Sequence, residues 1–160
     1  MDIKSLIAKG ERQIKAKQYT PAIQTFNKVL EEDPQNLHAL IYRSGCYMQT
    51  EQYEKCIQDI SKALEQDATN KKLYYNRGSA YVQIEEYEKA IQDFSMAVKF
   101  DPEYDNAYYN RGSVHMKRDD YEKAVKDFLK AAQLGNEEAQ ILVKNFEERG
   151  REIRNQDNNN

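Results

Sequence analysis

Apolar residues along the chain recur every three or four positions, the spacing that places side chains on one face of an α-helix. In the stretch 19–30 the apolar positions are Tyr19, Ala22, Ile23, Phe26, Val29 and Leu30. The preceding stretch has the same period at Ile3, Leu6, Ile7, Gly10 and Ile14. A strand would instead alternate every second residue. The pattern therefore predicts two amphipathic helices and no strand in this part of the chain.

The same pattern returns every 34 residues. The string YYNRGSAY at 74–81 comes back as YYNRGSVH at 108–115. Aligned at this interval, the chain divides into four segments, 3–36, 37–70, 71–104 and 105–138. Four columns hold small, tyrosine, small and large residues in turn: Gly10, Ser44, Gly78 and Gly112; Tyr19, Tyr53, Tyr87 and Tyr121; Ala22, Cys56, Ala90 and Ala124; Phe26, Ile60, Phe94 and Phe128. A duplicated loop would match only locally, so the columns predict an array of four helix pairs. An amphipathic stretch after the fourth repeat adds one more helix, which makes nine in all.

Two features of the columns predict how the helices end and pack. Pro34 and Pro102 cannot continue a helix, and they stand where a repeat ends. A glycine inside a helix costs about 1 kcal/mol relative to alanine, so the glycine column predicts a close approach between the two helices of a pair. We expect Gly10 to face Ala22 across this contact, with the Phe column filling the space beside it.

These columns resemble the tetratricopeptide repeat (TPR) family. Its 34-residue helix-turn-helix unit has a large, a small, an aromatic, an alanine, an aromatic, an alanine and a proline position. Here these are Tyr74, Gly78, Tyr81, Ala90, Phe94, Ala97 and Pro102. The resemblance covers residues 3 to about 138. It implies an all-α fold, an α-solenoid of four tandem 34-residue helix-turn-helix repeats with a C-terminal capping helix.

The chain departs from the family pattern mainly at its C-terminal end. The family's frequent tryptophan is absent, and the second repeat has Ser44 for the glycine and Ala68 for the proline. The fourth repeat ends in LGN at 134–136 where the first and third have an Asp-Pro pair. Residues 139–154 follow with one apolar face, which predicts the capping helix that covers the last repeat. We expect Phe146 on that face to be buried, and the polar residues 155–160 to form a disordered tail.

Composition and charge narrow the function classes. The chain has 24 basic and 27 acidic residues, a formal net charge of -3, which gives no reason to expect nucleic-acid or membrane-surface binding. No apolar run is long enough to span a bilayer, and the amphipathic N-terminus lacks the apolar core of a signal peptide, so we expect a cytoplasmic protein. Cys46 and Cys56 fall in small-residue columns and are interpreted as buried reduced thiols, rather than a disulfide or a redox pair.

Two charged columns are interpreted as structural, and no catalytic set is found. Arginines at 43, 77 and 111 accompany aspartates at 59, 93 and 127, and the first repeat lacks both, so we expect Arg–Asp pairs along the array. There is no Gly-rich phosphate loop, no metal-spaced histidine pair and no activated nucleophile. His115 replaces the tyrosines of its column and is interpreted as a packed side chain. The sequence therefore predicts a non-enzyme without a cofactor.

The TPR resemblance also implies a binding surface. In the family, the face of each first helix opposite the Leu and Gly stripe lines a concave groove. The positions so implied are Ile41, Tyr42, Lys72, Tyr75, Asn76, Ser79, Asn106, Tyr109, Asn110, Ser113 and Met116, with Gly45 and Met48 beside them. An amide side chain can donate to and accept from a peptide backbone at once, and tyrosines commonly anchor interfaces. Plain solvated helix surface is the alternative.

The predicted partner is a protein or peptide segment with acidic and apolar residues, because the groove positions carry more lysine than acid. They are Lys4, Lys15, Lys72 and Lys117 against Glu11. The carboxylate clamp of chaperone-binding family members is not expected, since only Lys72 fits its five positions. The function implied is a non-catalytic adaptor or scaffold. The alternative is a structural component of a larger assembly that docks through its convex face or self-associates.

Overall fold

The computed structural model describes the backbone of residues 2–157 and the side chains of residues 2–149. Within these limits the chain forms nine α-helices and no strand, which confirms the predicted all-α class and helix number. The helices are α1 (Ile3–Lys15), α2 (Tyr19–Glu32), α3 (Leu37–Gln49), α4 (Tyr53–Gln66), α5 (Lys71–Gln83), α6 (Tyr87–Phe100), α7 (Asp105–Lys117), α8 (Tyr121–Gln133) and α9 (Glu137–Asp157).

The helices form two compact units, Met1–Asp93 and Phe94–Asn160, and the division falls within α6. In the first unit, Phe26, Leu40 and Ile60 are almost fully buried between successive helices. In the second unit, Val114 and Phe128 are buried between α7 and α8, and Phe128 is the equivalent of Phe26 and Ile60. Each helix pair thus buries one apolar face in the manner that the three-and-four spacing predicts.

Phenylalanine rings pack against glycines of the repeat at Gly10 and Gly112. A Cβ atom added to Gly10 would overlap the Phe26 ring, closer to Cζ than real Cβ atoms approach a neighbour. At Gly112 the same atom would meet the Phe128 ring at 3.1 Å and the Ala124 carbonyl oxygen at 3.2 Å. The close helix approach is therefore confirmed. At Gly10, however, the contacting group is the Phe26 ring rather than Ala22.

The turn inside each repeat has a left-handed residue that is never glycine. These residues lie 34 positions apart, at Lys17, Glu51, Glu85 and Asp119, with φ between 56° and 61°. The amide after each one donates to a carbonyl five residues back, as from Gln52 N to Tyr47 O at 2.8 Å. This is the Schellman closure of a helix end, which satisfies carbonyls that the helix itself leaves without a donor. The repeated turns therefore share one geometry.

The last helix differs from the prediction at both ends. Asn136 caps α9 by accepting from the Ala139 amide at 2.9 Å, so the helix begins at Glu137, two residues before the predicted start. It continues to Asp157, so residues 155–157 are helical, and the remainder of the predicted tail, 158–160, lies outside the described residues.

The predicted burial of Phe146 is wrong. Ala139 is fully buried against α8, and the Gln140 side chain donates to the Ala132 carbonyl at 3.1 Å, so α9 does pack on α8. Phe146 is nevertheless 45% exposed. Within the described residues, no second helix follows α9 to cover the far side of its apolar face.

Candidate functional site

The first-helix face of the first unit is centred on Tyr42. Its ring stacks on that of Phe26, with centroids 5.6 Å apart and planes 19° from parallel. Its hydroxyl donates to the Glu11 carboxylate, and this hydrogen bond, aided by burial, raises the pKa of Tyr42. Tyr42 therefore joins α3 to α1 and is a half-buried part of the surface rather than a freely projecting side chain.

Next to Tyr42 the backbone of α3 is uncovered. Gly45 is exposed, and a Cβ atom added there would meet nothing within 4 Å. Ile41 and Met48, one helical turn away on either side, are half-buried and pack against the core. The result is a stretch of accessible helix backbone flanked by apolar side chains.

On α5 the predicted residues differ in what they leave available. Lys72 and Asn76 are exposed, while Tyr75 is half-buried. The Ser79 hydroxyl donates to the Tyr75 carbonyl oxygen at 2.9 Å, so its proton is committed within the helix and only its lone pairs face outward. In the first unit the candidate surface thus consists of Ile41, Tyr42, Lys72, Tyr75, Asn76 and Ser79 together with Gly45.

The second unit carries the remaining predicted residues on α7. The Tyr109 ring lies 5.6 Å from that of Phe128, and the Ser113 hydroxyl donates to the Tyr109 carbonyl at 3.0 Å. Asn106 accepts from the Asn136 side-chain amide at 3.2 Å. That amide also donates to Asp105 at 3.1 Å. Asn110 and Met116 are half-buried on the same helix.

The Arg–Asp pairs predicted from the two charged columns are confirmed. Each arginine is bidentate to its aspartate, at 2.7 and 2.7 Å for Arg43–Asp59, 2.7 and 2.8 Å for Arg77–Asp93, and 2.7 and 2.7 Å for Arg111–Asp127. These bonds raise the pKa of each guanidinium, against the opposing effect of burial. Each pair joins the first helix of a repeat to the second helix of the same repeat, so the pairs are structural.

Sequence reasoning missed a third contact of each arginine. The remaining guanidinium nitrogen, Nη1, donates to a residue 16 positions earlier, on the second helix of the preceding repeat. The acceptors are Asn27 Oδ1 at 2.7 Å, Ser61 Oγ at 3.0 Å and Ser95 Oγ at 2.9 Å. The signal was present as a column of small polar residues 34 apart, but such residues are also common on solvated helix faces.

The remaining candidate groups are packed side chains. Cys46 and Cys56 are buried and free, as predicted, and burial raises the pKa of their thiols to about 11 and about 12. His115 is 8% exposed, which confirms its packing, and burial lowers its pKa. Among the side chains that the structure describes, no three metal-ligating residues cluster. Nor does any helix in that part of the chain have the length and apolarity to cross a bilayer.

Comparison with known families agrees with this architecture. A family model described as anaphase-promoting complex, cyclosome, subunit 3, matches residues 15–97, about half of the chain. Models described as TPR repeat and tetratricopeptide repeat match residues 78–119 and 106–135. The chain belongs to the tetratricopeptide repeat family. TPR proteins of this kind are protein-interaction modules or scaffolds, and that general class applies to this TPR chain.

Several solved structures share the fold of this TPR protein. A structure titled MamA 41-end from Desulfovibrio magneticus RS-1 is 26% identical with a TM-score of 0.81, over 83% of this chain and 75% of that one. A crystal structure of MamA is 28% identical with a TM-score of 0.77, over 84% and 75% of the two chains. A search of curated proteins finds no significant match.

Proposed function

We propose that this TPR protein is a non-catalytic adaptor, and that the first-helix face of each unit can bind an extended segment of a partner protein. The surface in the first unit comprises the α3 and α5 residues described above around Gly45. In the second unit it comprises Asn106, Tyr109, Asn110, Ser113 and Met116 of α7. We also propose a cytoplasmic location, which two unpaired, buried thiols suit.

The observation that carries the proposal is Gly45. A glycine inside a helix costs about 1 kcal/mol relative to alanine, so its presence needs a compensating contact. Gly10 has one in the Phe26 ring, whereas a side chain at Gly45 would project into open space. A glycine there allows a ligand backbone to approach the helix closely. The half-buried Ile41 and Met48 on either side offer that ligand apolar contacts.

Charge and polarity indicate the kind of segment. The Lys4, Lys15 and Lys72 side chains are exposed on the first helices of the first unit. The Asn76 amide is also exposed on α5, and an amide can both donate to and accept from a peptide backbone. The proposed ligand therefore carries one or two acidic residues among apolar ones. Its affinity should fall with added salt, which screens exposed charges over about 8 Å at physiological ionic strength.

The test uses peptides selected from a random peptide display library on the full chain, with affinity then measured by titration calorimetry. Gly45→Ala should raise the free energy of unfolding by up to about 1 kcal/mol, because alanine is favoured over glycine inside a helix. It should weaken peptide binding, because the added Cβ atom occupies the path by which the peptide backbone approaches. Gln58→Ala, at an exposed position on α4, is the matched control and should leave affinity unchanged. Equal affinity of the Gly45→Ala variant and the wild type would reject the groove proposal.

Lys72→Glu probes the acidic ligand separately. We expect it to weaken binding and to flatten the salt dependence, since one of the exposed positive charges is reversed. Affinity that is insensitive to both salt and Lys72→Glu would reject the acidic residues of the proposed ligand and indicate a ligand that binds through apolar contacts alone. A structural role in a larger assembly is the second candidate, and the exposed apolar residues of the second unit favour it.

A further inference from the structure

The junction between α8 and α9 lacks the polar contact found at earlier junctions. At those, an arginine donates to a small polar residue of the preceding second helix, as Arg111 does to Ser95. Asn136 caps α9 as Asn36 and Asn70 cap α3 and α5. The 34-residue period would place this cap at position 138, so each residue of α9 comes two positions earlier in the chain than its equivalent in an ordinary repeat. In that register, Val143 takes the arginine position and Leu129 the small polar position. An apolar pair has replaced a hydrogen bond.

This apolar pair lies in an open cleft of about 580 Å³ between α8 and α9. Tyr121, Val125 and Leu129 line it from α8, Val143 and Phe146 line it from α9, and Met116 of α7 also contributes. Tyr121 is 57% exposed, Val125 and Leu129 43% each, and Phe146 45%. The equivalent of Val125 in the first repeat, Ile23, is only 8% exposed. The last helix pair therefore shows apolar surface that an earlier repeat covers.

We propose that a second copy of this chain covers the cleft, forming a two-fold symmetric dimer through α8 and α9. The charges around the cleft are self-complementary. The exposed charged residues of α8 are three lysines and one glutamate: Lys123, Lys126, Lys130 and Glu122. Those of the described part of α9 are four glutamates, one lysine and one arginine: Glu137, Glu138, Glu147, Glu148, Lys144 and Arg149. A two-fold axis sets each net-positive α8 against the partner's net-negative α9.

The shape of the α8–α9 surface also suits a two-fold symmetric dimer. A two-fold interface uses one patch on both copies, so that patch must contain both a projection and a hollow that receives it. The half-exposed Phe146 and Tyr121 rings are projections, and the cleft beside them is the hollow. Together the four exposed apolar side chains offer roughly 350 Å², nearly half of the ~800 Å² that each partner buries in a standard interface. The charged residues on both helices supply the rim.

A further helix of the ordinary repeat type does not fit the cleft as well. In α1 and α7 a glycine receives the phenylalanine ring of the second helix, at Gly10 and Gly112. Lys144 occupies that position in the register of α9. Because a lysine cannot receive a ring there, α9 lacks the seat that a closely packed second helix requires. The favoured occupant is therefore the α8–α9 surface of another copy.

Sedimentation equilibrium of the full chain, from micromolar to millimolar concentration, tests the dimer. Leu129→Glu would bury an unpaired carboxylate in the dimer interface, so the dissociation constant of the dimer should rise by roughly a hundredfold. The matched control is Ile141→Glu. Ile141 is 63% exposed on α9 but lies about 200° around the helix from Val143, so this variant should dimerise as the wild type does. Circular dichroism melting of dilute samples checks that both variants fold.

A spectroscopic reporter gives an independent measurement. The chain contains no tryptophan, so Phe146→Trp introduces a single indole in the cleft. Its emission should shift to shorter wavelength as concentration rises, and Leu129→Glu should abolish that shift. A wild-type chain that stays monomeric throughout, or a dimer that Leu129→Glu leaves intact, would overturn the proposal. Met116 lines the cleft and also belongs to the proposed peptide surface on α7, so the independent control is Gly45 in the first unit. Gly45→Ala should weaken peptide binding without changing dimerisation, so the failure of one proposal can be told from the failure of the other.

Discussion

The junctions between successive repeats and the junction before the last helix solve the same packing problem with different chemistry. At an inner junction, a guanidinium such as that of Arg43 bonds its own repeat through Asp59 and the preceding repeat through Asn27. At the last junction, Leu129 and Val143 face an open cleft instead. The inner junctions have directional bonds that specify one register. The last has an apolar surface that tolerates a different register and remains available for contact.

Helix periodicity and junction chemistry are therefore separate properties of a repeat array. α9 has the same apolar period as the other first helices, with Ala139 buried where Ala39 and Leu73 are buried in the first unit. It lacks the arginine and the glycine that would continue the pattern. An amphipathic helix at the end of an array can therefore cover the preceding repeat and still leave a binding surface on its other side.

Removing the arginine from an inner junction should have the largest effect. In Arg43→Met, the 5% exposed Asp59 carboxylate loses its bidentate arginine partner, and we expect a loss of roughly 3 to 5 kcal/mol in unfolding free energy. Urea denaturation followed by circular dichroism measures it. The double variant Arg43→Met/Asp59→Leu removes the stranded charge and should recover much of the loss. Equal stability of single mutant and wild type would mean that the pair does not fix the junction.

Alanine substitutions of the phenylalanines in α8 and α9 should differ in their cost in stability, because one ring is buried and the other is half-exposed. Phe128 is 4% exposed, and Phe128→Ala should cost about 3 to 5 kcal/mol. Phe146 is 45% exposed, so Phe146→Ala should cost at most about 1 to 2 kcal/mol of the transfer free energy of a phenylalanine. Thermal melts at low concentration, where dimers dissociate, give both values. Similar losses for the two variants would show that the cleft is closed in the monomer.

The smallest effect is expected from pH. Burial lowers the pKa of His115, opposed by Asp127 and Asp120 and reinforced by Arg111 and Lys123. Because the folded pKa lies below the unfolded value, the unfolded chain takes up the proton first, and His115 reduces stability as pH falls below about 6.5. The loss levels off below the folded pKa.

His115→Tyr supplies the control, since Tyr47 and Tyr81 fill this column in the second and third repeats. Stability of both proteins is measured by urea denaturation across pH 5 to 8. The wild type should lose stability relative to the variant on acidification. Parallel pH profiles would assign the dependence to other groups.

Much of the fold could be predicted from the sequence because the repeat supplies four versions of each position. One column of glycines and one of phenylalanines predicts a close contact that a single glycine would not. The left-handed turns were not foreseen, because residues such as Lys17 and Glu85 give no compositional signal for positive φ. The burial of Phe146 was predicted wrongly because periodicity identifies the apolar face of a helix but not whether a neighbour covers it.

The candidate site was less accessible to sequence reasoning. Ser79 and Ser113 were predicted to line the binding surface, yet the hydroxyl of each donates to a carbonyl one turn earlier in its own helix. Serine commonly makes this bond inside helices, and its sequence position does not distinguish the two uses. The Tyr42–Glu11 contact likewise joins helices that are distant in sequence. Whether the predicted residues bind a peptide stays a prediction.

The forked arginines also bear on how the array loses its structure. In a chain of repeats, stability is approximately the sum of the stability of each repeat and a coupling term between nearest neighbours. A guanidinium such as that of Arg111 contributes to both terms, because its bonds to Asp127 and Ser95 belong to different repeats. Fraying of one repeat therefore removes a partner from a buried charge in the next. Partially unfolded states should be scarce among the arginine-linked repeats, and local opening should begin at the α8–α9 end, where no such bond exists between the described side chains.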